Sequence, residues 1–141
     1  SATVLTNICG LSASVLAGGT YRLDAMLFAN HGAAAQPYGF GLTFPAMKHI
    51  RGKIYASTSA VQGDLGAVST LGQHVPFNGD SASGSTIVST VSITTVSTIV
   101  AYVALMVVST TGTVQLQAKG SAGAAALQVL DGSYMQVFRI A

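Results

Sequence analysis

Residues 96–108, VSTIVAYVALMVV, are apolar on both faces of an extended strand. Successive strand side chains point to opposite sides. Tyr102, Ala104, Met106 and Val108 therefore share one face, and Val103, Leu105 and Val107 share the other. A strand of an antiparallel sandwich normally meets water on one side. One that is apolar on both sides needs a second cover. A neighbouring subunit supplies it, with a loop of the same chain as the alternative. The face bearing Tyr102, Ala104, Met106 and Val108 is the expected subunit interface. The run does not suit a membrane span: its unbroken apolar part, residues 99–108, has ten residues, and a spanning helix needs about 20.

The rest of the chain also favours strands. Val, Ile and Thr recur, and glycines punctuate them at short intervals. Strands are expected at residues 2–9, 11–16, 20–30, 38–44, 48–57, 73–77, 86–95, 96–108, 113–119 and 133–140, with 124–130 a strand or an extended segment. Ala17-Gly18-Gly19, Asn78-Gly79-Asp80 and Asp131-Gly132 read as tight turns, because Gly and Asn tolerate the positive φ such turns need. The segment 60–71 is ambiguous. Val-Ser-Thr recurs at Val68, Val88, Val96 and Val108, but the irregular spacing reflects strand bias and not a solenoid. No composition break divides the 141 residues, so one domain is expected. About nine or ten strands at this spacing predict an all-β, two-sheet antiparallel sandwich of jelly-roll type.

Charge narrows the function. Only 7% of the residues are charged, against about 25% in ordinary soluble domains. The four acids, Asp24, Asp64, Asp80 and Asp131, include no pair spaced for acid–base work. His31, His49 and His74 fall in no metal-ligand pattern. Gly39-Phe40-Gly41 is not followed by the lysine of a phosphate loop. No catalytic residue, metal or cofactor is expected. A net charge of +2 gives no footprint for nucleic acid, and no cationic segment precedes an apolar one to suggest a signal peptide. The single Cys9 has no partner for an internal disulfide and reads as a small buried strand residue. Arg22 and Asp24, two apart on one strand, read as a surface ion pair.

One cluster stands out. Lys48, His49, Arg51 and Lys53 hold three of the six fixed cations within six residues. His49, Arg51 and Lys53 alternate onto one strand face, with Ile50 and Ile54 on the opposite one. The functional reading is contact with an anionic partner, such as acidic groups on a cell surface or an acidic patch of another protein. A plain solvated face is the alternative, and charges on an edge strand also discourage sheet-to-sheet aggregation.

Two segments resemble a known family. Leu11-Ser12-Ala13-Ser14-Val15-Leu16-Ala17-Gly18-Gly19-Thr20-Tyr21-Arg22-Leu23 resembles the opening of a phage-encoded domain, in which "AG-x-T-Y" leads into a long strand. Gly112-Thr113-Val114-Gln115-Leu116-Gln117-Ala118, followed by Val129-Leu130-Asp131-Gly132-Ser133-Tyr134 and the ending Arg139-Ile140, resembles its close. That family occurs in minor tail proteins, fibres and related virion proteins of tailed phages. It is similar to the trimeric jelly roll of the complement C1q and tumour-necrosis-factor type. The resemblance implies a homotrimer in the virion, with Tyr102, Ala104, Met106 and Val108 at the trimer interface, partnered by other virion proteins and by a host-surface glycan or protein. Its first implied role is a non-enzymatic fibre or tail-tip head that binds a receptor. The alternative is a trimeric capsid decoration protein, which the lack of a shaft before Leu11 suggests. A glycan-active enzyme is disfavoured by the missing carboxylate pair.

Overall fold

The computed structural model describes residues 6–30, 36–56, 73–82, 86–93, 97–120 and 127–141. Among these run ten strands and no helix: β1 (Thr6–Val15), β2 (Thr20–Asn30), β3 (Gln36–Thr43), β4 (Met47–Ala56), β5 (Gln73–Ala82), β6 (Thr86–Ile93), β7 (Ser97–Val108), β8 (Gly112–Lys119), β9 (Gln128–Val129) and β10 (Tyr134–Arg139). The strands form two antiparallel sheets. Sheet I has the order β1-β8-β3-β6; sheet II has the order β10-β2-β7-β4-β5, with β9 also paired to β2. Four of the pairings nest inside one another: β1 with β8, β2 with β7, β3 with β6, and β4 with β5.

Period-two patterning builds the core between the sheets. From sheet II, β2 sends Tyr21, Leu23, Ala25 and Leu27 inward, and β7 sends Val100, Tyr102, Ala104, Met106 and Val108. From sheet I, β3 answers with Tyr38, Phe40 and Leu42, and β8 with Val114, Leu116 and Ala118. These side chains form one buried cluster, so the two sheets are the layers of a β-sandwich. On β8 the half-buried Gln115, Gln117 and Lys119 alternate with the core residues, as the sequence pattern predicts.

The turns use the residues the sequence suggests. Gly18, between β1 and β2, has φ +78°, and the Leu16 N–H donates to the Tyr21 hydroxyl at 3.0 Å. Gly132, between β9 and β10, has φ +87°, a conformation that costs a side chain roughly 1 kcal/mol or more. Ser133 fastens that turn, its Oγ donating to the Leu130 carbonyl at 2.8 Å and accepting the Phe28 N–H at 2.9 Å.

Three expectations are corrected. Asn78-Gly79-Asp80 is not a turn: it lies within β5, where Asn78 pairs with Arg51, Gly79 with Ile50 and Asp80 with His49. β4 offers a long partner ladder there, and continuing it satisfies more backbone groups than a local turn would. The two opening strands are one, β1, with a register shift between Asn7 and Ser12. Cys9 sits in that irregular stretch, beside Gly10 at φ +78°, and is exposed instead of buried. Of the expected strand or extended segment at 124–130, residues 124–126 lie outside the described residues, and β9 accounts for two of the other four. The ambiguous segment 60–71, with Asp64, and the loop that carries His31 lie outside the described residues.

The buried Tyr102 hydroxyl finds no hydrogen-bond partner among the described residues. Burial pushes its pKa well above the ordinary value of 10.0. Above about pH 10 the unfolded chain ionises this tyrosine while the folded chain keeps it neutral, so stability falls by roughly 1.4 kcal/mol per pH unit. Tyr102→Phe should hold or raise stability at pH 7 by up to about 1 kcal/mol and should flatten the alkaline decline. Urea titrations at pH 7 and pH 11 check both; a clear loss at pH 7 would mean that the hydroxyl has a partner.

Candidate interaction surface

The outer face of sheet II gathers the chemistry. Its rows follow from register. Phe138, Arg22, Leu105 and Arg51 lie side by side across β10, β2, β7 and β4. Gln136, Asp24, Val103 and Lys53 form the next row, and Tyr134, Met26, Ala101 and Tyr55 the one after. Adjacent strands stand roughly 4.8 Å apart, so each row is a line of neighbouring side chains.

A bulge aims the β4 cations. Its register against β7 shifts between Met47 and His49. Met47 and Ile50 are both buried, and Lys48 is exposed at the irregularity. Beyond it Arg51 and Lys53 are exposed and His49 is half-buried, while Ile50 and Ile54 are in the core. The expected division of this strand into a cationic and an apolar face is therefore present. His49 stands farther along β4, opposite Val107 of β7 and Asp80 of β5.

The trimer-interface assignment on β7 is corrected. Tyr102, Ala104, Met106 and Val108 are 0–2% exposed within the single chain. Sheet I already covers them, and a second molecule cannot touch side chains that the first has enclosed. The face of β7 that remains open carries Ile99, Val103 and Leu105, at 45%, 43% and 49% exposure. Tyr55, Tyr134 and Phe138 extend this apolar surface on β4 and β10. The open face of sheet I is different: its described residues on β8 are Thr113, Gln115, Gln117 and Lys119.

A shallow groove of about 380 Å³ crosses the outer face of sheet II. Val103 and Leu105 form its floor, and Arg22, Arg51, Lys53 and Tyr55 stand around it. Arg22 is held in place by Asp24 through two contacts, Nε to Oδ2 at 2.9 Å and Nη2 to Oδ1 at 3.2 Å. The expected ion pair is thus present, and it fixes a planar guanidinium at the groove edge. The part played by Arg22, Tyr55, Val103 and Leu105 was missed from sequence. The alternation of β7 contained the signal for Val103 and Leu105. The approach of Arg22 depends on which strand lies next to β7, and no local pattern states that. Among the described residues no group of three or more His, Cys, Asp or Glu is placed to hold a metal ion.

No family model matches this chain, and no curated protein or solved structure is significantly similar to it.

Two neighbouring substitutions separate the faces of β7. Met106→Asp places a carboxylate in the closed core and should cost more than about 4 kcal/mol, enough to unfold the chain. Leu105→Asp faces solvent and should change stability by less than about 1 kcal/mol. Thermal unfolding followed by circular dichroism checks the pair; equal damage from both would contradict the assignment of faces.

Proposed function

We propose that this chain is a jelly roll that acts as a non-enzymatic bacteriophage virion protein: a trimeric fibre or tail-tip head that binds a host-surface receptor. The observation that carries the fold part is the nested pairing of β1 with β8, β2 with β7, β3 with β6 and β4 with β5. A long antiparallel hairpin rolled across two sheets pairs its strands this way, and virus shells and lectins use that architecture. The phage resemblance adds support, because its quoted residues have definite work here. Ala17-Gly18-Gly19 forms the β1–β2 turn, and Asp131-Gly132-Ser133 forms the β9–β10 turn. The virion setting and the homotrimer rest on that resemblance.

The binding part rests on the outer face of sheet II. Large exposed apolar side chains on one contiguous face commonly mark a contact with another molecule. The acids on the described surface suit binding more than catalysis: Asp24 is tied to Arg22, and Asp131 sits in an exposed turn. Interaction with a partner, not turnover of a substrate, is the role this arrangement supports best.

Sedimentation equilibrium should give a species of three times the 14.2 kDa chain mass. Electron microscopy of particles bearing the tagged chain should place it at the tail tip. A monomer at micromolar concentration would remove the trimer, and label spread over the capsid lattice would favour the decoration role.

A further inference from the structure

We infer that β10 pairs edge to edge with the β10 of a second copy of this chain, antiparallel and about a twofold axis at Gln136. This contact goes beyond the reading above and is separate from the threefold association proposed there. The first argument is an open backbone. β10 ends sheet II, and among the described residues no strand lies on its outer side. The Ile140 N–H donates to the Thr20 carbonyl at 2.7 Å. Hydrogen bonding alternates along an antiparallel strand. Phe138, Gln136 and Tyr134 therefore bond to β2, and Met135, Val137 and Arg139 turn their N–H and C=O groups to the open edge.

The second argument is that this edge lacks the features that blunt two others. β1, an edge of sheet I, shifts register between Asn7 and Ser12. There the Gln115 Nε2 donates to the Ile8 and Leu11 carbonyls at 2.9 and 3.0 Å. β5, the far edge of sheet II, carries the exposed Pro76, which has no N–H to offer. β10 keeps six consecutive pairs with β2 without a shift, and its sequence YMQVFR has no proline or glycine. A regular, unblunted edge is a template for another strand.

The third argument names the occupant, because β10 is complementary to itself. With Gln136 opposite Gln136 of the second copy, Tyr134 stands opposite Phe138 on the outer face and Met135 opposite Val137 on the inner one. Tyr134 and Phe138 are 42% and 49% exposed, and Met135 and Val137 are only half-buried against the core. The second copy covers both sets, and aromatic and apolar cross-strand pairs are stabilising. The strand ends match as well. Arg139, whose Nε donates to the Ala141 carbonyl at 3.2 Å, keeps its charge. It falls opposite Ser133, two positions from the exposed Asp131. Antiparallel pairing joins these unlike charges, whereas parallel pairing would set like charges side by side.

Disulfide trapping tests the register. Directly opposed residues of a non-hydrogen-bonded antiparallel pair lie within disulfide reach. Each variant is made in a Cys9→Ser background and oxidised with diamide at millimolar protein, because an edge of six residues is a small contact. On a denaturing gel without reductant, Gln136→Cys should give a species of twice 14.2 kDa. It should form about tenfold or more faster than for Thr113→Cys, exposed on sheet I, since paired thiols have a high effective concentration. Tyr134→Cys and Phe138→Cys should link readily when mixed and far more slowly when each is alone. A threefold axis brings like positions together, so the mixed link separates this contact from the trimer, and the denaturing gel reads it whether or not the trimer forms. The replaced β10 residues are exposed, so circular dichroism should show folded variants. Two results would overturn the inference: Gln136→Cys linking no faster than Thr113→Cys, or Tyr134→Cys and Phe138→Cys each linking alone as readily as in the mixture.

Discussion

A strand has two faces, and a two-layer sandwich covers one of them. That constraint governs this molecule through β7, which lies inside sheet II between β2 and β4. Its inward side chains, Tyr102 and Met106 among them, are completely enclosed, and each contributes about 1.5–3 kcal/mol through burial. The outward ones, Ile99, Val103 and Leu105, are apolar too and gain only part of that benefit. A partner that covered Val103 and Leu105 would realise about 1 kcal/mol more from each. The open apolar face of sheet II is thus a consequence of fitting a doubly apolar strand into a fold with one interior.

Register then gives that surface its polarity. β4 runs beside β7 with Arg51 opposite Leu105 and Lys53 opposite Val103, and β2 brings Arg22 against Leu105 from the other side. The shift between Met47 and His49 matters here, because moving a strand by one residue exchanges its faces. Without it, the alternation that buries Met47 would run out of step with the one that buries Ile50 and Ile54. The low overall charge sharpens the effect. In a chain with six fixed cations, three around one groove are a substantial share of the positive charge.

Much of the fold was legible from local pattern. The alternation in β2 and β8 named their core residues, and the glycines at 18 and 132 named two turns. Local pattern failed where a distant partner decided the outcome. Asn78-Gly79-Asp80 has strong turn chemistry, yet the β4 ladder draws it into β5. Cys9 has strand chemistry, but the irregular edge of β1 leaves it exposed. For the site, the sequence showed that β7 has two apolar faces and could not say which faced inward, since the answer depends on where sheet I lies. The cationic face of β4 was legible because alternation alone separates Arg51 and Lys53 from Ile50 and Ile54. Their meeting with Arg22, Val103 and Leu105 was not, because strand order is a property of the whole chain.

The central claim is that Leu105 and its neighbours face outward while Met106 and its neighbours are enclosed within the monomer. Thiol labelling reads this directly. Leu105→Cys and Met106→Cys would each be made in a Cys9→Ser background and treated with a maleimide under native conditions. The account predicts rapid modification at position 105 and modification at 106 only on unfolding. Rapid native labelling at 106, or protection of 105 in the isolated monomer, would contradict it.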